Sequence, residues 1–303
     1  MRRGYAALIL LALLWGASFF FIKIAVWDMS PTTLVFLRAL VGMLTLGAIF
    51  AARRQSAAPP GTRARLLPFV GLAVFGSLLP WFFFGFGELS ISSALASILN
   101  ATTPLWTALF AFWLTPLERP SPLNYVGVAI GFIGTGILVA PALIGQPLKA
   151  TTIGTLAVAA AAACYAVAAM VQRLRLRGVS SMQVGFWQLA LTVPLAFVAA
   201  VPTLGATHLR LGSVAAVVVL GAGGSGIAYL LYYYMMNRLG ATRATTVTFL
   251  LPVTAILWGS LLLRETITVP MIVGMVVILL GVFLTSRPRS QRTTAVAKAE
   301  GVA

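Results

Sequence analysis

Two ionisable side chains, Lys23 and Arg38, stand inside long apolar runs of this 303-residue chain. A charge in such a setting is costly and marks a ligand, an ion path or a buried partner. Arg38 lies about two helical turns into its run, deep enough to hold a carboxylate or to gate a mouth. The plainer alternative is a guanidinium that snorkels outward or pairs with helix-end carbonyls. Lys23 is nearer the end of its run and reads as a snorkelling anchor or as the counter-charge of Asp28. Prolines offer a second chemistry. Pro104 and Pro252 lack an N–H and so free the carbonyls of Asn100 and Thr248; an unpaired carbonyl in apolar surroundings is costly and can coordinate a ligand. Thr102, Thr103 and Thr246 could satisfy those carbonyls instead. Aromatic residues form the third set: Trp15, Phe19, Trp81, Phe84, Trp106, Tyr165, Trp187, Tyr229, Tyr233 and Trp258. Buried Trp and Tyr need partners for their polar tips, which suits either a wet cavity or ordinary helix packing. The candidate binding residues are therefore Trp15, Phe19, Arg38, Trp81, Asn100, Trp106, Tyr165, Gln188, Tyr229, Tyr233, Thr248 and Trp258, with Pro104 and Pro252 as hinges. This is binding chemistry. Catalysis would require paired carboxylates, clustered histidines or a nucleophile with its base, whereas His208, the one histidine, and Cys164, the one cysteine, stand apart. No cofactor or metal is expected.

The elements that hold these residues occur twice. Residues 92–140 return in diverged form as residues 245–285: Pro104 as Pro252, Glu118 as Glu265, and Gly127 and Gly134 as Gly274 and Gly281. Farther back, Gly71 and Gly76 match Gly221 and Gly226, Trp15-Gly16 matches Tyr165-Ala166, and Arg38 matches Gln188. The offset falls from 150 at the start to 148 at the prolines and 147 at the glutamates, as two short deletions would produce. The chain reads as a tandem duplication, with one repeat in residues 1–145, a second in 146–286 and a disordered tail in 287–303.

With 60% hydrophobic and 9% charged residues, the chain has too little polar surface for water. Ten apolar runs, near 5–26, 32–51, 66–86, 91–114, 122–140, 152–171, 181–201, 212–235, 241–263 and 268–286, fit membrane-spanning helices. The first is too long for a secretory leader and lacks its cleavage site. Five runs per repeat force the second repeat to enter the bilayer from the opposite side, so the expected fold is an all-α integral membrane protein of ten helices in two inverted repeats. The net charge of +16 is scattered between the runs, which argues against nucleic acid. With the N-terminus inside, 16 of the Lys and Arg residues fall on inner segments and three (Lys149, Arg210 and Arg264) on outer ones. That bias places both termini in the cytoplasm. The scarcity of lysine beside arginine, with abundant alanine and glycine, suggests a GC-rich bacterial gene, and the expected location is the inner membrane.

The Trp15-Gly16 pair, Arg38 in the second run, the Pro-centred fourth run and Leu117-Glu118-Arg119 before a glycine-rich fifth occur together over residues 5–286. On these features the chain resembles the drug/metabolite transporter superfamily, in its ten-helix EamA-type branch. The resemblance implies a secondary transporter in which helices 1–4 and 6–9 surround a central cavity and helices 5 and 10 lie outside. The expected partners are a small-molecule substrate and the lipid bilayer, and the expected activity is export of metabolites such as amino acids or amphipathic compounds by alternating access. A membrane-embedded enzyme, a passive channel or a structural membrane protein is the alternative. Substrate, direction, coupling ion and oligomeric state stay open. Small multidrug-resistance relatives carry a glutamate in their first helix; Trp15-Gly16 stands here, against proton-coupled export of cationic drugs. Glu88, Glu118 and Glu265 fall at run ends and read as helix terminators paired with neighbours such as Arg119 and Arg264. The glycines at 127–131 and 221–226 lie within apolar runs without a preceding strand or a following lysine, so they serve close packing and not phosphate binding.

Reporter fusions after Ala58 and at the C-terminus should both report cytoplasm. A signal from the opposite side at either position contradicts the inverted-repeat topology.

Overall fold

The computed structural model describes residues 2–57, 61, 63–114, 122–144, 150–239 and 247–285. Ten apolar helices account for almost all of them. They are α1 (Arg2–Ala25), α2 (Pro31–Ala52), α3 (Leu66–Ala73, Val74–Leu78 and Leu79–Gly87), α4 (Ser93–Asn100 and Thr103–Leu114) and α5 (Pro122–Ile144). The second set is α6 (Ala150–Arg175), α7 (Ser181–Leu204), α8 (Leu211–Val218, Val219–Ile227 and Ala228–Leu239), α9 (Val247–Leu262) and α10 (Val269–Thr285). Glu118, Arg119, Tyr233's side chain, Thr246 and the tail lie outside the described residues.

Local chemistry sets the boundaries. Ser30 caps α2 by accepting the N–H of Thr33, with Pro31 at the first helical position, where a missing donor costs nothing. Ser180, 150 residues later, caps α7 in the same way through the N–H of Gln183, so the duplication extends to the caps. Helix α2 ends in a Schellman turn: Arg54 adopts a left-handed φ of 51°, the Gln55 N–H returns to the Phe50 carbonyl at 3.1 Å and the Arg54 N–H to the Ala51 carbonyl at 3.0 Å.

Helix pairing reveals the symmetry. α2 packs on α7 and α5 on α10; α1 packs on α8 and α9, as α6 does on α3 and α4; α2 packs on α8, as α7 does on α3. Exchanging each helix with the one five later leaves this set unchanged, which is the mark of a twofold axis relating the repeats. With five spans each, the repeats are inverted. One end of the bundle carries Arg53, Arg54, Arg63, Arg65, Arg173, Arg175 and Arg177, and the other carries Arg210 and Arg264. They are called below the arginine-rich and arginine-poor ends.

Helices α5 and α10 meet backbone to backbone. A Cβ built on Gly134 would lie 2.7 Å from the amide nitrogen of Ile278, and one on Gly127 would lie 2.7 Å from the carbonyl oxygen of Gly281. In lipid, where apolar burial gives helices little reason to associate, such close approach supplies the van der Waals contact that holds them.

The two prolines behave differently. α4 is interrupted between Asn100 and Thr103, as expected, but Pro252 lies inside a continuous α9. The residues before the prolines explain the difference. Thr102 and Thr103 donate their hydroxyls to the carbonyls of Leu99 and Asn100, at 2.6 and 2.8 Å, and so stabilise the break. The corresponding Leu250 and Leu251 carry no hydroxyl; the single Thr254 O–H of the next turn lies 3.1 Å from each of their carbonyls and 2.9 Å from that of Ala12 in α1.

Gly134→Leu should lower the thermal stability of the purified protein by about 1–3 kcal/mol, the range for overpacking. Gly136→Leu, whose added Cβ meets open space, should leave it nearly unchanged; equal effects would contradict the α5–α10 seam.

Candidate functional site

The residues expected to bind converge where α3 and α8 depart from α-helical geometry. Both helices contain a π-helical segment near mid-span, Val74–Leu78 and Val219–Ile227. Single-turn π segments are frequent at functional sites because they leave backbone groups to be satisfied by other elements. In α3 the cause is Pro80, which has no N–H to offer the Gly76 carbonyl four residues earlier. Gln188 of the other repeat supplies the donor: its Nε2 donates to Gly76 O at 2.9 Å and to Ser77 Oγ at 2.7 Å. In α8 the pair in the equivalent place is Gly224-Ser225, 148 positions on, so the match of Gly76 with Gly226 expected from the sequence is shifted by two residues. Gly224 O accepts from Trp15 Nε1 at 3.0 Å, and Ser225 Oγ accepts from Arg38 Nε at 3.2 Å. Each π segment is therefore satisfied by side chains from the opposite repeat. A Cβ on Gly76 would lie 2.9 Å from Gln188 Nε2, so a larger residue there would push on this contact.

Arg38 and Gln188 each lie about two turns into their helix. The helices start at opposite ends of the bundle, so the two residues sit at mirror-related depths. Arg38 is 7% exposed, and its guanidinium carbon lies 3.9 Å from the centroid of the Trp81 ring. A cation on a tryptophan face at this depth gains about 2 kcal/mol. Trp81 is held by donating Nε1–H to Tyr165 Oη at 3.0 Å. Tyr165 lies against Phe84, and Phe84 meets Phe19 edge to face at 5.4 Å. Tyr229 stands within electrostatic reach of the same guanidinium and packs against Gly185. Among the described residues no carboxylate comes within 4 Å of Arg38. It is a buried cation whose partners are a hydroxyl and aromatic rings.

The structure thus gathers Phe19, Arg38, Trp81, Tyr165 and Tyr229, with Gln188 across the twofold axis. The other candidates lie elsewhere. Trp15 and Trp258 donate to helix carbonyls, Gly224 O and Leu13 O, and stitch α1 to α8 and α9. Trp106 packs on Phe132 of α5, towards the outer pair. Asn100 lies at the break in α4. Its carbonyl is occupied by Thr103, while its side-chain Oδ1 is buried without a partner. Thr248 lies in the first described turn of α9 and is engaged in contacts of its own. Ser77, Ser225 and Pro80 are the working residues that the sequence reading passed over. The signal was a Gly-Ser pair repeated at offset 148, with a proline four residues beyond the first glycine.

Polar ties draw the arginine-poor end together. Asp28 accepts from Ser213 and pairs with Arg210 at 3.5 Å. Lys23, expected to snorkel or to neutralise Asp28, turns inward and donates to the carbonyls of Glu88 and Ile91. Glu265, expected to pair with Arg264, instead caps α4 of the other repeat. It accepts from Ser93 N at 2.7 Å, Ser93 Oγ at 3.0 Å and Ala94 N at 3.1 Å. Unpaired amides at the positive end of a helix dipole attract a carboxylate more firmly than an exposed arginine does. A serine-threonine cluster joins Ser30, Thr32 and Thr33 to Thr203.

The family model for the EamA-like transporter family matches residues 2–140 and 152–287, one match per repeat. The chain belongs to the EamA-like transporter family. It is accordingly a multi-pass membrane transporter. Among relatives, it is 26% identical over 292 residues to an uncharacterized transporter of Archaeoglobus fulgidus, covering 95% of this chain and 100% of that one. It is 27% identical over 271 residues to the inner membrane transporter YedA of Escherichia coli, covering 87% and 84%. It is 26% identical over 295 residues to a probable amino-acid metabolite efflux pump of Salmonella typhimurium, covering 93% and 94%. A solved crystal structure superposes with a TM-score of 0.64 at 21% identity, over 94% of this chain and 97% of the other, a likeness of fold alone.

A double-mutant cycle tests the cross-repeat bond of this EamA-like transporter. Gln188→Ala should destabilise the purified protein by about 1–3 kcal/mol, because it strands the Gly76 carbonyl. Pro80→Ala restores a local N–H and should reduce that cost by at least about 0.5 kcal/mol. Strictly additive effects would show that Gln188 does not serve the proline-freed carbonyl.

Proposed function

We propose that this EamA-like protein is a secondary active exporter of small amphipathic metabolites that carry a carboxylate, amino acids among them. In this reading it works by alternating access between its two inverted repeats. The observation that carries the proposal is Arg38: a buried guanidinium on the face of Trp81, with tyrosines around it and, among the described residues, no carboxylate within 4 Å. Buried charges are normally paired, because desolvation without a partner is expensive. A substrate anion supplies the missing partner, and the aromatic walls of Trp81, Tyr165, Phe84 and Phe19 take its apolar body. Arginine suits this role by its planar, bidentate fork and its permanent charge. The name of the Salmonella relative, a probable amino-acid metabolite efflux pump, agrees with a carboxylate-bearing cargo.

The lysine and arginine bias supports an orientation with the arginine-rich end and both termini in the cytoplasm of an inner membrane. On that assignment the ties at Asp28, Lys23 and Glu265 hold the outer end closed, and cargo enters from the cytoplasm. Repeats related by inversion can exchange conformations, so rocking about the axis near Arg38 and Gln188 would open the outer end.

A thermal-shift screen of metabolites on purified protein identifies the cargo, since a ligand of the folded state raises the melting temperature. Hits should be carboxylates, and their amides should stabilise about tenfold less well in terms of apparent affinity. In Arg38→Gln that preference should disappear, because a charge-assisted bond contributes about 1.5–3 kcal/mol. Retention of the full carboxylate preference by Arg38→Gln would remove Arg38 from the substrate site.

A further inference from the structure

Glu88 stands at the arginine-poor end one residue beyond the α3 span, and nothing described so far uses its carboxyl group. The residue is 0% exposed, and neither Oε1 nor Oε2 has a hydrogen-bond partner. It is enclosed because α3 meets α6 there through glycines. A Cβ on Gly87 would lie 2.8 Å from the Gly154 carbonyl oxygen, and one on Gly154 would lie 3.0 Å from the Gly87 carbonyl oxygen. The charged groups that face the carboxyl come from three other elements: Lys23 of α1, Glu265 after α9 and Arg38 of α2. Lys23 has turned two of its three hydrogens to the backbone carbonyls of Glu88 and Ile91. Glu265 is committed to the α4 amides and adds repulsion.

We propose that Glu88 is a proton-binding site that latches the arginine-poor end of the transporter shut, taking its proton from, and returning it to, the solution at that end. An ionised carboxylate that is fully buried and reached by no protein donor is expensive, and the attraction of Lys23 and Arg38 does not offset its burial. Burial accordingly holds the carboxyl well above the usual carboxylate range. When α3 and α6 part, water reaches Glu88 and the group returns towards that range. The closed conformation thus binds a proton that the open one releases. Its advantage is fully present below the open-state value and is lost as pH rises through the closed-state value. The same side gives and takes the proton, so the latch moves no net charge across the membrane and sets only how readily the end closes.

This proposal rests on the alternating-access reading above, and one set of measurements separates the two. In a Cys164→Ser background, Leu89→Cys and Leu209→Cys, both exposed, carry spin labels, and their distance distribution in liposomes is recorded from pH 5 to pH 9. Rising pH should move population from the short to the long distance, by up to about tenfold per pH unit for a single proton. Glu88→Gln, which mimics the protonated acid, should keep the short distance throughout, and Glu88→Asp should still titrate. A wild-type distribution that ignores pH but responds to substrate overturns the latch and leaves alternating access standing. So does a Glu88→Gln protein that titrates like the wild type. A distribution that responds to neither pH nor substrate while transport proceeds overturns alternating access itself.

Discussion

A peptide carbonyl inside hydrocarbon must find a donor, because no water is there to supply one. That constraint governs the middle of this protein. Pro80 removes the donor that Gly76 would have had, and Gly224 lies in the wide turn of α8. Both carbonyls take a side-chain donor from the other repeat: Gln188 crosses to Gly76 and Trp15 crosses to Gly224. The repeats are therefore joined by bonds between the parts of the backbone that most need them, and each half completes the other.

The position of Arg38 follows from the same joint. Its Nε–H is spent on Ser225, the counterpart of the Ser77 hydroxyl that Gln188 reaches, so the rest of the guanidinium is left against Trp81. Where the first repeat places a cation the second places a neutral amide. The symmetry of the scaffold is thus broken electrostatically here, among aromatic rings. Under the proposed function, inverted repeats that rock and the buried Arg38 cation are the two parts that export of an anionic group would use.

The fold was legible because its signals are long and redundant. Ten apolar runs, a duplication visible at Pro104 and Pro252, and lopsided arginines all point to the same architecture. The site was legible in part. Arg38, Trp81 and Tyr165 were singled out by their types and depth, but nothing in their spacing shows that Trp81 lies under Arg38, since α2 and α3 meet only through tertiary packing. Proline logic was applied to Pro104 and Pro252 and not to Pro80, whose freed carbonyl is the one answered from the other repeat. It also assumed that equal prolines have equal effects, whereas Thr102 and Thr103 break α4 and Leu250 and Leu251 leave α9 whole. Glu88, Lys23 and Glu265 sat at run ends, where a sequence reading defaults to solvent. Tertiary packing turned Lys23 and Glu265 onto backbone groups of another helix and enclosed Glu88 without a partner.

The central claim is that each repeat depends on the other for the donors its own mid-membrane backbone lacks. Expressing residues 1–145 and 146–303 as two separate polypeptides tests it most directly. Each half alone should fail to accumulate as a stable monomer in the membrane, and co-expression should restore a 1:1 complex that melts cooperatively near the intact chain. A first half that is stable and monomeric by itself, with its α3 backbone protected from hydrogen exchange as in the whole protein, would contradict the account.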